Sequence, residues 1–196
     1  MMSTQTPDYQ QLWNTMVIRK EKLEAVKKAA KQIAANFEQY HAVSEAAAEA
    51  ISNGSLCPWY VIGVIHYLEC GLSFTKHLHN GDPLTDRTTH VPAGRPKKGN
   101  PPFTWHESAV DAIRLIDFNN ATYDWTSIAF VLEKLESYNG IGYKKRGVYS
   151  PYIWSYTNHY FAGKYVADSK YDPNAISKQV GAASILSLIL AHPEQW

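Results

Sequence analysis

Glu69 is the residue in this chain best placed for acid–base chemistry. The residues before it, Trp59 to Leu68, are hydrophobic or aromatic apart from Gly63 and His66. That composition predicts a buried helix over residues 58–69, with Pro58 suited to its first position because a missing N–H costs nothing there. Apolar surroundings and the negative end of the helix both disfavour the charged carboxylate, so its pKa is expected to rise. A carboxylic acid that keeps its proton near neutrality can protonate a leaving-group oxygen, which is what glycoside cleavage asks of a general acid. The same position also suits a helix-end Glu that reaches solvent or pairs with a cation.

Gly71 is a plausible stop for that helix. After it, Asn80-Gly81-Asp82-Pro83 is turn chemistry between two runs rich in Thr and His, and this predicts a small β-hairpin within 72–92. Glycoside hydrolysis needs a second carboxylate or an activated water across the sugar ring. Asp82 and Asp86 are the candidates; Asp82 also suits a turn contact beside Pro83. His77, His79 and His90 flank the same turn. On a strand His-x-His puts both rings on one face, so a zinc site serving an amidase or peptidase is an alternative, as are histidines that simply bond backbone.

His66-Tyr67-Leu68-Glu69 and His77-Leu78-His79-Asn80-Gly81-Asp82-Pro83-Leu84 resemble the lysozyme superfamily, most of all phage- and prophage-type lysozyme family proteins. In that superfamily the catalytic Glu ends a buried helix and a neighbouring β-hairpin forms one wall of the glycan cleft. Tyr138-Asn139 is similar to the Tyr-Asn pair that closes the glycan site in soluble lytic transglycosylases. Gly142-Tyr143 and the Tyr- and Trp-laden Ser150 to Asn158 are similar to the segment these proteins place along the cleft. The likeness spans roughly residues 56–160. It departs from the transglycosylases at Cys70-Gly71, where they usually carry Ser, and lacks their Gly-Leu-Met-Gln type motif.

The resemblance implies a muramidase or endolysin cutting the β-1,4 linkage of peptidoglycan, with Glu69 as general acid and Asp82 or Asp86 stabilising the oxocarbenium or activating water. Tyr138, Asn139, Tyr143, Tyr152 and Trp154 would hold the glycan, and His66, one turn before Glu69, could tune it. A lytic transglycosylase, a chitinase-type activity and a non-catalytic glycan-binding domain are the alternatives on the same fold. No cofactor or metal is called for by the lysozyme reading.

The expected frame is a single mainly α (α+β) domain over 1–196, with one small β-hairpin next to the catalytic helix. Residues 8–53 contain neither Gly nor Pro and should be helical scaffold, with Trp13, Met16, Val17, Leu23, Val26, Ala30, Ile33, Phe37 and Tyr40 facing the core. Their length predicts a break near Tyr40 to Ser44 and a stop at Asn53-Gly54. The catalytic helix and hairpin occupy 56–92, and Pro92 to Pro102 reads as loop. Within 104–161, Thr104-Trp105-His106-Glu107 is a capping box for a helix running to Ile116. A second helix runs from Trp125 to an αL stop at Asn139-Gly140, followed by the aromatic segment. Asp172-Pro173 should start a C-terminal helix over 172–191.

A net charge of +1 gives no reason to invoke nucleic acid, and Arg95 with Lys97-Lys98 is a short cluster of the solvated-loop kind. Cys57 and Cys70, at the two ends of the predicted helix, stand too far apart for a disulfide and are expected to be free thiols. The start, Met1 to Asp8, does not read as a secretory signal, and no segment reaches the length of an apolar membrane span. Synthesis in the cytoplasm followed by holin-type release onto the cell wall is the expected route.

Overall fold

The protein is described by a computed structural model over residues 8–49, 56–115, 122–167 and 169–192. In chain order its elements are α1 (Tyr9–Thr15), a 3-10 turn at Lys20–Lys22, α2 (Leu23–Ala34), α3 (Phe37–Ala48), α4 (Trp59–Cys70), α5 (Trp105–Leu115), α6 (Ile128–Asn139), α7 (Gly142–Arg146), α8 (Pro151–Trp154), β1 (Lys164–Ala167), β2 (Lys170–Asp172) and α9 (Ala182–Ala191). The architecture is mainly helical with one small antiparallel hairpin, in which Tyr165 pairs Tyr171. Two compact units result, one from Gln32–Thr126 and one from Met1–Lys31 with Ser127–Gln195. No helix among the described residues is long and apolar enough to cross a membrane.

In the 32–126 unit, α3 packs on both α4 and α5. The apolar composition of α4 buries Val61, Ile62, Gly63, Val64, Ile65 and Leu68 together. Gly63 is required for the close fit, since a Cβ there would stand 2.5 Å from Ile33 Cγ2 and 2.9 Å from Tyr40 Cε2. Pro58 turns out to be the N-cap, one residue before the first helical position. Gly71 ends α4 in the left-handed region, with its N–H on the Tyr67 carbonyl and that of Leu72 on the His66 carbonyl; the first of these is the single bond of an αL stop. The predicted capping box also forms: Glu107 Oε2 accepts from the Thr104 N–H and hydroxyl, and the Glu107 N–H donates to Thr104 Oγ1.

Four expectations need correction. The hairpin lies at 164–172, whereas 72–92 keeps the turn without strands, its backbone pairing reduced to the bridge between Lys76 and Pro83. Pro83 has no N–H to offer a ladder, and the Asp82 N–H goes instead to the Asn80 side chain. The N-terminal region is not one helix bent at 40–44; it breaks at 16–19 and again at 35–36. Around 16–19 the backbone groups are taken by a distant segment, with Arg19 donating to the Tyr156 carbonyl and Asn158 to that of Val17, so Val17 is exposed rather than part of the core stripe. Asp172 belongs to β2 and caps the Asn174 N–H in a turn; the last helix starts after Gly181. Finally, Gly140 stops α6 with φ 94° and ψ 152°, outside the αL region. The stop expected at Asn53-Gly54 and the end at Ile116 lie outside the described residues.

In the other unit α6 packs against α1, α8 and α9. Tyr9 of α1 donates a 2.5 Å hydrogen bond to the buried Glu136 carboxylate of α6. Burial raises the Glu136 carboxyl above its ordinary range, in part offset by that bond and by the Lys144 charge.

Candidate functional site

Glu69 sits half-buried in the last turn of α4. The Asn80–Asp82 turn presses directly on this helix end: a Cβ on Gly81 would lie 2.9 Å from the Glu69 carbonyl oxygen, and Gly81 has φ +80°. Only glycine meets both conditions. The turn itself is tied by His77 N–H on the Asp82 carbonyl and Gly81 N–H on the His77 carbonyl. Beside Glu69, the Cys70 thiol is pushed up to about 12, mainly by burial and further by the Glu69 charge. Cys57 and Cys70 are both buried and neither forms a disulfide, as expected.

His66 does not meet the role of a glycan contact. Its ring is wholly enclosed among Tyr40, Phe74 and Trp105. Both nitrogens are committed, Nε2 at 3.1 Å from the Ser73 carbonyl and Nδ1 at 3.1 Å from the Tyr40 hydroxyl. Since a carbonyl can only accept, Nε2 carries the proton and Tyr40 donates to Nδ1. Burial lowers the pKa to about 4, with the Ser73 bond acting weakly the other way. His66 is therefore a neutral core residue that fixes the end of α4.

Asp82 is likewise not placed to stabilise an oxocarbenium or activate water. Its side chain is 9% exposed, and Oδ2 accepts the Thr89 N–H, the Thr89 hydroxyl and the His90 N–H while Oδ1 receives the His90 ring at 2.6 Å. Burial pushes its pKa up, but the bonds from His90 and Thr89 and the His90 charge outweigh it and hold the carboxyl well below the usual range. This carboxylate clamps the returning arm of its own loop at Thr89 and His90. Asp86 is exposed; its carboxylate meets the Arg87 N–H and its carbonyl receives His77 Nε2 at 2.7 Å.

The remaining histidines form a buried network, and the zinc alternative does not survive it. His77 Nδ1 lies 2.8 Å from Ser108 Oγ, and His79 Nε2 lies 2.9 Å from Asp111 Oδ2. His77 gives its Nε2 proton to the Asp86 carbonyl, so its Nδ1 accepts the Ser108 hydroxyl proton. His90 turns instead to Asp82, and no group of three potential metal ligands occurs among the described residues. Ser108, His79 and Asp111 follow the order of a hydrolytic triad, yet Ser108 is fully buried and its proton goes to His77. Burial lowers His79, with Asp111 opposing it. Asp111 is raised by burial but brought below its ordinary value by His79 and Arg95. Sequence reasoning missed Ser108 and Asp111 and read Arg95 as solvated loop, whereas Arg95 is ion-paired with Asp111; the signal was Ser108 and Asp111 one turn apart, on one face of the capped helix.

The proposed glycan residues divide. Tyr138 is half-buried and Asn139 exposed at the end of α6, and Asn139 and Tyr143 line a cleft of about 470 Å³ with Tyr165 and Ser169. Tyr143, Tyr165 and Tyr171 meet edge to face at 5.2–6.4 Å. Arg146 lies over the Tyr165 and Tyr171 rings and donates from Nε to the Tyr165 hydroxyl. The Tyr143 hydroxyl receives the Tyr165 N–H at 3.1 Å. Tyr143 is itself buried, and Tyr152 and Trp154 are buried in α8 and serve as core; their aromatic density was read as a surface. Tyr165 and Tyr171 were not foreseen, although Tyr165-Val166 and Lys170-Tyr171 on either side of Ser169 carry a hairpin signal.

Comparison of the chain with protein-family models, with curated proteins and with solved structures finds no match.

Proposed function

We propose that the protein is a peptidoglycan-cleaving glycosidase with Glu69 as its general acid. The observation that carries this reading is the half-buried Glu69 in the last turn of apolar α4, with the Gly81 turn packed against its carbonyl. Glu69 protonates the bridging oxygen of the β-1,4 linkage as the sugar gains oxocarbenium character. Action on the cell wall after holin-type release belongs to the same proposal.

A second reading is favoured by one observation. Asp82 has both oxygens committed within its own loop, which leaves Asp86 or the substrate's own groups to complete the reaction. Attack by the substrate's own hydroxyl is the transglycosylase outcome. Digestion of purified peptidoglycan with product masses read by mass spectrometry tests both. Reducing-end products support hydrolysis and 1,6-anhydro products support transglycosylation. Release of neither sugar product would overturn the glycosidase reading.

A further inference from the structure

A cleft of about 600 Å³ on the 32–126 unit is not used by the reaction proposed above. Its size is that of a small-ligand pocket. Arg95, Lys97 and Lys98 line it from the loop before α5, and Asp111 and Arg114 from α5 itself. Arg95 is anchored: its side chain is 15% exposed and Nε donates to Asp111 Oδ2 at 2.8 Å. Asp111 is fixed in turn by His79. Both terminal nitrogens of Arg95 have no hydrogen-bond partner among the described residues. A guanidinium held through Nε with its outer fork open is set to take two oxygens at once.

The other charges narrow the ligand. Arg114 is tied to the Ala46 and Ala47 carbonyls at the end of α3, and Glu107 to Thr104. Lys97 and Lys98 are exposed and add positive charge beside the fork. Glu49, Glu107 and the paired Asp111 also border the cleft, so a chain of repeated anions would meet more repulsion than a single carboxylate.

We propose that this cleft binds the carboxylate of a peptide, gripped by the Arg95 fork and supported by Lys97 and Lys98. The site stands on its own geometry; that its natural ligand is a peptide branch of peptidoglycan rests on the glycosidase reading.

The test is an NMR titration of the full chain with N-acetyl-alanyl-alanine, with the same dipeptide as its C-terminal amide, and with inorganic phosphate. The free acid should bind saturably and shift the Arg95 Nε–H and the Lys97 and Lys98 amides. The amide should bind at least about tenfold more weakly. Arg95→Lys, which keeps a cation for Asp111 but loses the fork, should weaken the acid about tenfold or more, and Lys97→Ala/Lys98→Ala about threefold. The double variant alters exposed side chains only, so it carries the test should Arg95→Lys misfold. Absence of saturable binding, an amide equal to the acid, phosphate as tight as the dipeptide, or unchanged affinity in the variants would each overturn the proposal. No turnover enters this measurement, so its failure leaves the glycosidase reading to its own test.

Discussion

Replacing His66 by Gln should change how the 32–126 unit responds to acid. His66 is enclosed, neutral, and lowered from 6.5 to about 4. The unfolded chain therefore binds a proton that the folded chain refuses. Stability from this residue is complete above about pH 6.5 and declines as pH falls toward the folded value. At about pH 4.5 the linkage amounts to ~2–3 kcal/mol relative to neutrality. The variant has no such titration. It should start about 1–3 kcal/mol less stable near neutrality, since the Tyr40 hydroxyl loses its acceptor, and then lose less on acidification than the wild type. Hydrogen exchange of α4 and α5 amides reads this unit alone, measured near neutrality and in mild acid for both proteins. Parallel loss of stability in the two, or a His66 ring that titrates near its ordinary value by NMR, would refute the reasoning.

Asp82→Ala should release the Thr89 and His90 amides, raising their exchange about tenfold or more and costing roughly 1–3 kcal/mol. Because the folded Asp82 carboxyl is held below its ordinary value, wild-type stability from it is present above about pH 4 and lost as pH falls further, and the variant should lack that acid limb. Gly81→Ala combines φ +80° with a Cβ 2.9 Å from the Glu69 carbonyl, so it should cost more than the ~1–2 kcal/mol of the left-handed conformation alone and depress wall lysis; thermal unfolding and lysis rates check both. Gly63→Ala should destabilise by about 1–3 kcal/mol through contact with Ile33 and Tyr40, against the usual gain of alanine in a helix, and a higher melting temperature would contradict the packing.

What was legible in the sequence was local. The apolar run of α4, the Gly71 stop and the Thr104–Glu107 box each depend on residues within a turn or two of one another. The break at 16–19 depends on residues 156–158, which no window around Met16 contains. Asp172-Pro173 carried a genuine helix-start pattern, yet Tyr171 pairs Tyr165 and the strand prevailed. At the site, residue type pointed to Glu69 and to the turn, but not to where lone pairs go. Asp82 looked like a free carboxylate because Thr89 and His90 reach it only once the loop folds back. Tyr152 and Trp154 looked like a sugar platform because composition does not separate a buried aromatic face from an open one.

The most direct measurement is the rate of peptidoglycan clearing by wild type and Glu69→Gln at matched concentration, with a chelator control and the melting temperature of each protein. The account predicts a rate loss of about 10²–10⁴-fold in the variant, with melting little changed and wild-type activity surviving chelation. A Glu69→Gln protein that clears peptidoglycan at the wild-type rate would contradict it.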